Sequence, residues 1–228
     1  MQIKYDDNKD IALTIVVPTY NEKLNVRPLV SLLDKALVDI NWEVVFVDDD
    51  SPDGTADEVR ELARTRLDVR VIHRIGRRGL SGACIEGILS SAAPYVAVMD
   101  GDLQHDETVL ISMIASFNAD PELNLVIGSR NVEGGSSGNG LSGIRSFGSN
   151  MATVMARKLL KIRVQDPMSG FFMIKLESFR DVVGELQRQG FKILTDLLSA
   201  SRDGWKIKEI PFVFKERQYG QSKMDSAV

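Results

Sequence analysis

Two hydrophobic runs in this chain end in clusters of aspartate. Residues 44–47 lead into Asp48-Asp49-Asp50, and residues 95–99 lead into Asp100-Gly101-Asp102. Short apolar runs bounded by turn residues predict buried strands, and in an open parallel α/β sheet ligands bind beyond the carboxyl ends of the strands. Carboxylates gathered at one edge repel one another unless a cation lies between them. Because hard oxygen ligands and phosphates share Mg²⁺ or Mn²⁺ readily, the pattern predicts a metal-dependent nucleotide-sugar site.

Predicted strands and helices alternate along the chain. Strands are predicted over residues 13–17, 43–47, 69–73, 95–99, 125–128, 171–174 and 207–214. Helices are predicted over 26–37, from Thr55, after Gly79, and over 108–117, 147–160 and 195–202. The alternation is typical of an α/β fold: a Rossmann-like, mostly parallel twisted sheet with helices on both faces. No repeat is visible, so residues 1–228 are predicted to form a single domain.

Two local signals refine the helix starts. Pro28 falls in the first turn of the first predicted helix, where proline is tolerated. Thr55 and Glu58 have the spacing of a capping box and predict the start of the second helix.

Composition argues against general nucleic-acid binding, an intramolecular disulfide and a membrane-spanning helix. The net charge is −4 and the calculated pI is about 5.3, which argues against general nucleic-acid binding. Cys84 is the only cysteine, so no intramolecular disulfide can form, and its helical surroundings predict an inert buried thiol. No apolar run approaches the ~20 residues that a membrane-spanning helix needs.

The second aspartate cluster has the features of a metal-binding turn. Asp102 and Gln104 offer side-chain oxygens two residues apart, directly after a predicted strand. A hard divalent ion that keeps several waters needs few such protein ligands. His105 is interpreted as a turn residue rather than a ligand, because imidazole suits softer metals.

The first cluster has competing interpretations. An acid after the second strand binds ribose in dinucleotide-binding folds, but those need G-x-G-x-x-G after the first strand. That turn reads Pro18-Thr19-Tyr20-Asn21-Glu22, so the dinucleotide hypothesis fails. A phospho-receiver would carry acids on the first strand, which has none. Tyr20 can pack on a base or ribose or be a half-buried aromatic, and Glu22 can accept hydrogen bonds from either or cap the next helix.

Several segments could bind phosphate. Residues 79–83 open a helix and could present backbone N–H groups. Arg130 and Arg145 flank a Gly/Ser-rich stretch within 131–144, which we expect to be mobile without ligands and to close over phosphates. Arg217, Ser222 and Lys223 form a further candidate clamp near the end of the chain.

Five motifs follow one another in order: VVPTYNE at 16–22, VDDDSPDGT at 47–55, MDGDLQH at 99–105, DPMSGFF at 166–172 and GQSK at 220–223. Over nearly its whole length the chain resembles the GT-A glycosyltransferases of inverting family two, most closely the dolichyl-phosphate mannose synthase branch. The VDDDSPDGT block is the most specific to that branch. Gly101 departs from the alanine common in the metal motif, a change expected to loosen that turn.

The resemblance implies roles for individual residues. The nucleoside would be held by Pro18, Tyr20, Glu22, Val47 and Asp49. The ribose and diphosphate would lie against Asp100 and Gly101, and Mg²⁺ or Mn²⁺ would be ligated by Asp102 and Gln104. The donor diphosphate and the acceptor phosphate would be neutralised by Arg130, Arg217 and Lys223, with Arg145 and Ser149 on the acceptor side. The residues implied to act in catalysis are Asp100, Asp102, Arg130 and Asp166.

The implied activity is metal-dependent transfer of one sugar, mannose from GDP-mannose, to a polyprenyl (dolichyl) phosphate. The Gln-x-x-Arg-Trp signature of processive synthases is missing, which favours single-sugar transfer. One alternative is a family-two enzyme that uses a UDP-sugar and either a polyprenyl phosphate or a saccharide hydroxyl, with Asp166 as base in the hydroxyl case. A second alternative is a sugar nucleotidyltransferase, although the glycine-rich loop with a basic residue that such enzymes carry after the first strand is missing. A third is a non-enzymatic nucleotide-sugar binder, which tight binding without donor turnover would support.

A lipid acceptor implies a place of action. We expect the protein to work at the cytoplasmic face of a membrane, peripherally or anchored by a C-terminal segment that is not in this chain or by a membrane subunit. A polyprenyl chain keeps its tail in the bilayer, so the catalytic domain needs to reach only the phosphate headgroup.

Overall fold

The computed structural model describes residues 10–136, 164–187, 190, 192–202 and 204–217. Its strands are β1 Leu13–Thr19, β2 Trp42–Asp48, β3 Val69–His73, β4 Tyr95–Val98, β5 Leu123–Ser129, β6 Phe172–Lys175 and β7 Lys206–Pro211. Its helices are α1 Lys23–Ala36, α2 Thr55–Ala63, α3 Leu80–Leu89, α4 Val109–Ala119, α5 Leu176–Val182 and α6 Ile193–Ala200, with a 3-10 turn at Val183–Glu185.

The seven strands form one sheet in the order β3-β2-β1-β4-β6-β5-β7. Only β6 runs antiparallel to its neighbours β4 and β5, so the mostly parallel α/β fold is confirmed. The chain steps from β1 outward to β2 and β3 and then returns to the other side of β1 with β4. Such a reversal opens a crevice beyond the carboxyl ends of β1 and β4, where ligands bind in folds of this type.

Helices cover both faces of the sheet, as predicted. Alternate residues of β1 point to opposite layers, because side chains alternate along a strand. Ile15 and Val17 pack in the cluster that contains Leu33 of α1. Val16 packs in the cluster that contains Ile88 of α3.

Glycine lets α3 lie close to the sheet. A Cβ atom placed on Gly87 would stand 2.4 Å from Cγ1 of Val16 and 2.9 Å from Cγ2 of Val47. No other residue fits there without moving the helix. The position of α3, and of the loop that enters it, is therefore set by this contact with β1 and β2.

Several predicted boundaries were wrong. Helix α1 begins at Lys23, which puts Pro28 in the second turn rather than the first. The capping box at α2 was also wrong: Thr55 is already helical, and its backbone N–H donates to Asp53 Oδ1 at 3.0 Å. Strand β7 ends at Pro211 rather than at residue 214.

Helix α5 was not predicted, and the helix predicted over 147–160 lies outside the described residues. Within the described ranges, no helix is long and apolar enough to cross a membrane.

Candidate functional site

The predicted nucleoside residues come together at the carboxyl ends of β1 and β2. Pro18 and Thr19 pair in register with Val47 and Asp48. Val47 is fully buried and packs in the core cluster that contains Ile88 of α3, so it supports this edge from within the sheet. Tyr20 and Glu22 follow on the loop into α1. The structure therefore assembles this predicted set along one stretch of the sheet edge.

Asp48 builds the turn after β2. It is fully buried, and its carboxylate accepts hydrogen bonds from the Thr19 hydroxyl at 3.1 Å and from the Ser51 hydroxyl at 2.5 Å. The Ser51 backbone N–H also donates to it, at 2.9 Å. These bonds tie the ends of β1 and β2 together, so Asp48 serves the fold rather than a ligand.

Asp49 and Asp50 hold the arginine-rich loop at 74–79. Asp49 forms an ion pair with the buried Arg74 and accepts the Gly79 backbone N–H at 2.7 Å. Asp50 accepts the Gly76 backbone N–H at 3.1 Å and contacts His73 Nε2 at 2.9 Å. Burial raises the pKa of Asp49, opposed by the Gly79 hydrogen bond and the Arg74 charge.

Sequence reasoning missed this pairing of the acidic run with the basic loop. The available signal was the adjacency of β2 and β3, whose ends carry opposite charges, since consecutive strands usually pair in a βαβ fold. The loop also brings the guanidinium of Arg78 to 4.4 Å from the ring centroid of Tyr20. Tyr20, the predicted base-stacking residue, is thus in a cation–π contact with this loop.

The second acidic cluster forms a tight turn after β4. The Asp100 backbone N–H donates to Nδ1 of His105 at 3.1 Å, and the His105 ring stacks on Phe171 with centroids 5.0 Å apart. Burial lowers the pKa of His105 to about 4, so the ring is neutral at pH 7. His105 thus positions the backbone of Asp100, a role that the sequence did not predict.

Small residues let the turn pack closely. A Cβ atom on Gly101 would lie 3.2 Å from Cγ1 of Val17 and 3.3 Å from Cγ2 of Thr19. A Cβ atom on Gly170 would lie 3.1 Å from Oδ2 of Asp100. Gly101 therefore fits the turn tightly against β1, and Gly170 brings the 164–171 segment directly against Asp100.

Asp102 is a nearly buried carboxylate of this turn. It is 6% exposed, and its pKa is raised by burial first and by the neighbouring Asp100 charge second. Its Oδ1 accepts the Gln104 backbone N–H at 3.1 Å, and its Oδ2 accepts Nη2 of Arg217 at 2.6 Å. The Gln104 side chain donates to the Lys215 carbonyl at 2.9 Å.

These residues fit a metal that carries phosphates. Among the described residues no group of three His, Cys, Asp or Glu side chains forms a complete protein cage. Mg²⁺ is commonly held by only one or two carboxylates, with waters and substrate phosphates as its other ligands. A buried carboxylate repelled by its neighbour favours a cation. Asp102 is therefore the side chain best suited to hold a divalent ion, with Gln104 beside it.

Arg130 and Asp166 form a close pair beside the metal turn. Nε and Nη2 of Arg130 donate to the two Asp166 oxygens at 2.8 and 2.9 Å, and the Arg130 backbone N–H donates at 3.1 Å. Asp166 is fully buried. The bidentate geometry fixes the plane of the guanidinium, so Asp166 orients Arg130.

Other predicted site residues cannot be located. Arg145, Ser149 and Lys223 lie outside the described residues, as do Ser222 and most of the 131–144 segment. Cys84 is buried and burial raises its pKa, in agreement with the predicted inert thiol.

Comparison with known proteins matches this chain to a family. The chain fits the family model described as Glycosyl transferase family 2 over residues 14–183. A dolichol-phosphate mannosyltransferase of Pyrococcus furiosus is 39% identical over 93% of this chain, which spans 59% of that protein. Proteins of the same name from Mycosarcoma maydis and Saccharomyces cerevisiae are 36% and 34% identical over 94% and 96% of this chain, which spans 74% and 83% of them.

Solved structures show the same fold. Glucosyl-3-phosphoglycerate synthase of Mycobacterium tuberculosis in complex with UDP matches with a TM-score of 0.68 and 17% identity, over 94% of this chain and 74% of that one. The complex of that enzyme with Mn²⁺, UDP-glucose and phosphoglyceric acid matches with a TM-score of 0.66 and 16% identity, over 98% and 80%. The predicted GT-A, Rossmann-like fold is thereby confirmed.

Proposed function

Because the chain belongs to glycosyl transferase family 2, we propose that it transfers one mannose from GDP-mannose to dolichyl phosphate or a similar polyprenyl phosphate. The names of the three relatives support this donor sugar and acceptor, since each aligns over more than nine tenths of this chain. We further propose that the reaction occurs at the cytoplasmic face of a membrane. The polyprenyl tail would stay in the bilayer, and the catalytic domain would need to reach only the phosphate headgroup.

The observation that supports a phosphate rather than a hydroxyl acceptor is the Arg130–Asp166 pair. A hydroxyl acceptor needs a general base within hydrogen-bonding reach of its proton. Both oxygens of Asp166 accept hydrogen bonds from the Arg130 guanidinium, and the carboxylate is fully buried. A phosphate acceptor needs no base, because its second pKa of about 6 leaves it largely dianionic at neutral pH. An oriented arginine suits such an anion.

The proposed reaction is a single displacement at the anomeric carbon. An oxygen of the acceptor phosphate forms the new bond to that carbon while the bond to the diphosphate breaks, so GDP leaves with both electrons and no proton is transferred. The configuration inverts because the acceptor attacks from the side opposite the leaving group.

Two anions must be aligned for this step. Tyr20 and Asp49 would hold the nucleoside, and Arg130 would align a phosphate for in-line attack. A divalent metal on Asp102, with Gln104 beside it, would supply charge stabilisation for the departing diphosphate. Either Mg²⁺ or Mn²⁺ would meet this requirement.

A donor and acceptor screen tests the proposal. The protein is incubated with GDP-mannose, GDP-glucose, UDP-glucose or UDP-galactose, each with a short-chain polyprenyl phosphate or the matching alcohol, and products are identified by mass spectrometry. We expect mannosyl phosphopolyprenol from GDP-mannose and the phosphate only. Equal transfer to the alcohol would contradict the phosphate-acceptor assignment and make Asp166 a candidate base. Preferred turnover of a UDP-sugar would overturn the assignment of GDP-mannose as the donor.

A further inference from the structure

Residues 212–217, which we call the C-terminal arm, lie across the metal turn. The arm and the turn exchange two hydrogen bonds: the Lys215 backbone N–H donates to the Gln104 carbonyl at 2.8 Å, and the Gln104 side chain donates to the Lys215 carbonyl at 2.9 Å. Phe212 and Phe214 pack edge-on against His105, with centroids 5.5 and 5.7 Å away. The arm therefore has a defined path over the turn.

This path brings the guanidinium of Arg217 into contact with the carboxylate of Asp102, the predicted metal ligand. Its Nη2 is 2.6 Å from Asp102 Oδ2, and its Nη1 is 3.9 Å from Glu22 Oε1. The carboxylates of Asp102 and Glu22 are nearly buried, whereas the Arg217 side chain is 23% exposed. The guanidinium thus closes the acidic crevice from its solvent side.

We propose that Arg217 is a tethered counter-cation that competes with the divalent metal for Asp102 and moves onto the nucleoside diphosphate when metal and nucleotide bind together. The nucleotide half of this inference rests on the proposed function, whereas the competition for the metal does not. Arg217 would then have opposite effects on two ligands. It would weaken the binding of the metal alone and strengthen the binding of the metal–nucleotide complex.

Electrostatics explains why the two cations exclude each other. A divalent ion ligated by Asp102 Oδ2 would come within a few ångströms of a guanidinium that hydrogen-bonds the same oxygen. Like charges at that separation repel strongly in a partly buried site. A diphosphate changes the balance, because its oxygens can ligate the metal and accept the arginine hydrogen bonds at once. If Arg217 moved from Asp102 to the phosphates, the metal, the arginine and the diphosphate would therefore each have a partner of opposite charge.

The anchoring of the arm makes such a movement local. The backbone bonds at Lys215 and the contacts of Phe212 and Phe214 lie before Arg217 in the chain, and none of them involves its guanidinium. Rotation of one long side chain is enough to release Asp102. The site can therefore change its cation while the turn keeps its shape.

The test measures Mn²⁺ binding without turnover. Free Mn²⁺ is quantified by electron paramagnetic resonance during titration of the wild-type protein and of Arg217→Gln, with and without GDP. We expect Arg217→Gln to bind Mn²⁺ alone about tenfold more tightly, because one positive charge beside a carboxylate shifts its cation affinity by about that factor. With GDP present, the same variant should bind the metal–nucleotide complex about tenfold more weakly.

Two further variants separate competition from a general charge effect. Lys215→Gln removes one positive charge from the same arm but keeps both backbone bonds to Gln104, and its Mn²⁺ affinity should stay within about twofold of wild type. Arg217→Lys keeps the charge and should restore the weaker Mn²⁺ binding. Thermal melts verify that each variant is folded.

The outcomes are distinguishable. Unchanged Mn²⁺ affinity in Arg217→Gln, with weaker GDP binding, would make Arg217 a phosphate ligand only and overturn the competition. Weaker binding of both Mn²⁺ and GDP would assign Arg217 a structural role and would also overturn the proposed competition. Tighter Mn²⁺ binding together with no affinity for GDP in the wild type would contradict the proposed function while the competition for Asp102 stands.

Discussion

The two aspartate clusters look alike in sequence but receive their counter-charges from different parts of the chain. Asp49 and Asp50 are held by the loop directly after the neighbouring strand, through Arg74, Gly79 and Gly76. Asp102 pairs with Arg217, more than a hundred residues later in the sequence. The first cluster is built into the fold along with its partners, whereas the partner of the second lies at the end of a separate arm. A local partner suits a fixed binding surface, and a distant one suits a site that exchanges ligands.

The sharpest test of this contrast is Asp102→Asn. Removing the charge should lower the turnover rate by about 10³-fold, because stabilisation of the leaving diphosphate by the metal contributes several kcal/mol. Stability should change little, because the cost of burying the charge and its repulsion from Asp100 disappear together with the ion pair to Arg217. Activity is followed by product formation and folding by thermal denaturation. Full Mg²⁺- or Mn²⁺-stimulated turnover would exclude Asp102 as the metal ligand.

Removing a charge partner of the first cluster should instead lower the stability of the fold. Arg74→Gln leaves the Asp49 side chain, which is 11% exposed, without its ion-pair partner. Breaking a buried pair in this way costs about 3–5 kcal/mol of unfolding free energy, which urea denaturation can measure. The control is Arg77→Gln on the same loop, whose exposed pair with Glu86 should contribute less than about 1 kcal/mol. Equal losses in the two variants would remove the distinction between a built-in pair and a surface pair.

A third effect concerns acid stability at the second cluster. The pKa of His105 is lowered by burial to about 4 from its ordinary 6.5, so only the unfolded chain takes up a proton there between these pH values. Stability should therefore fall as the pH drops from about 6.5 to about 4, by up to ~3 kcal/mol. Urea titrations at several pH values should show a smaller loss in His105→Asn. The same pH dependence in the wild type and in His105→Asn would show that the lowered pKa of His105 is not the cause of the acid destabilisation.

The smallest effect is expected at Asp50. Its bonds to Gly76 and His73 lie at the surface, and its pKa is lowered mainly by the Gly76 hydrogen bond. Asp50→Asn keeps the shape and should shift the melting temperature by no more than about 2 °C. A much larger shift would mean that the third aspartate supports the loop as strongly as the second.

The sequence predicted the sheet and the position of both acidic clusters, because apolar runs and the turns after them are local patterns. The adjacency of β2 and β3 indicated only that the acidic run and the basic loop lie close together, because pairing Arg74 with Asp49 in particular requires the register of the two strands. The aromatic surroundings of His105 were also hidden: Phe171, Phe212 and Phe214 reach it from two distant segments. Arg217 was assigned to phosphate from the family resemblance, and its contact with Asp102 depends on the course of the arm.

The antiparallel strand β6 has a consequence for how proteins of this kind can diversify. Strand β5 ends at Ser129 and β6 begins at Phe172, and both positions lie at the ligand edge of the sheet. The chain between them leaves and re-enters the sheet at one place, where the Arg130–Asp166 bonds fasten its two ends together. The closure entropy of such a segment grows only slowly with its length. Natural variation or protein engineering could therefore change the length of this segment while the register of the sheet stays the same.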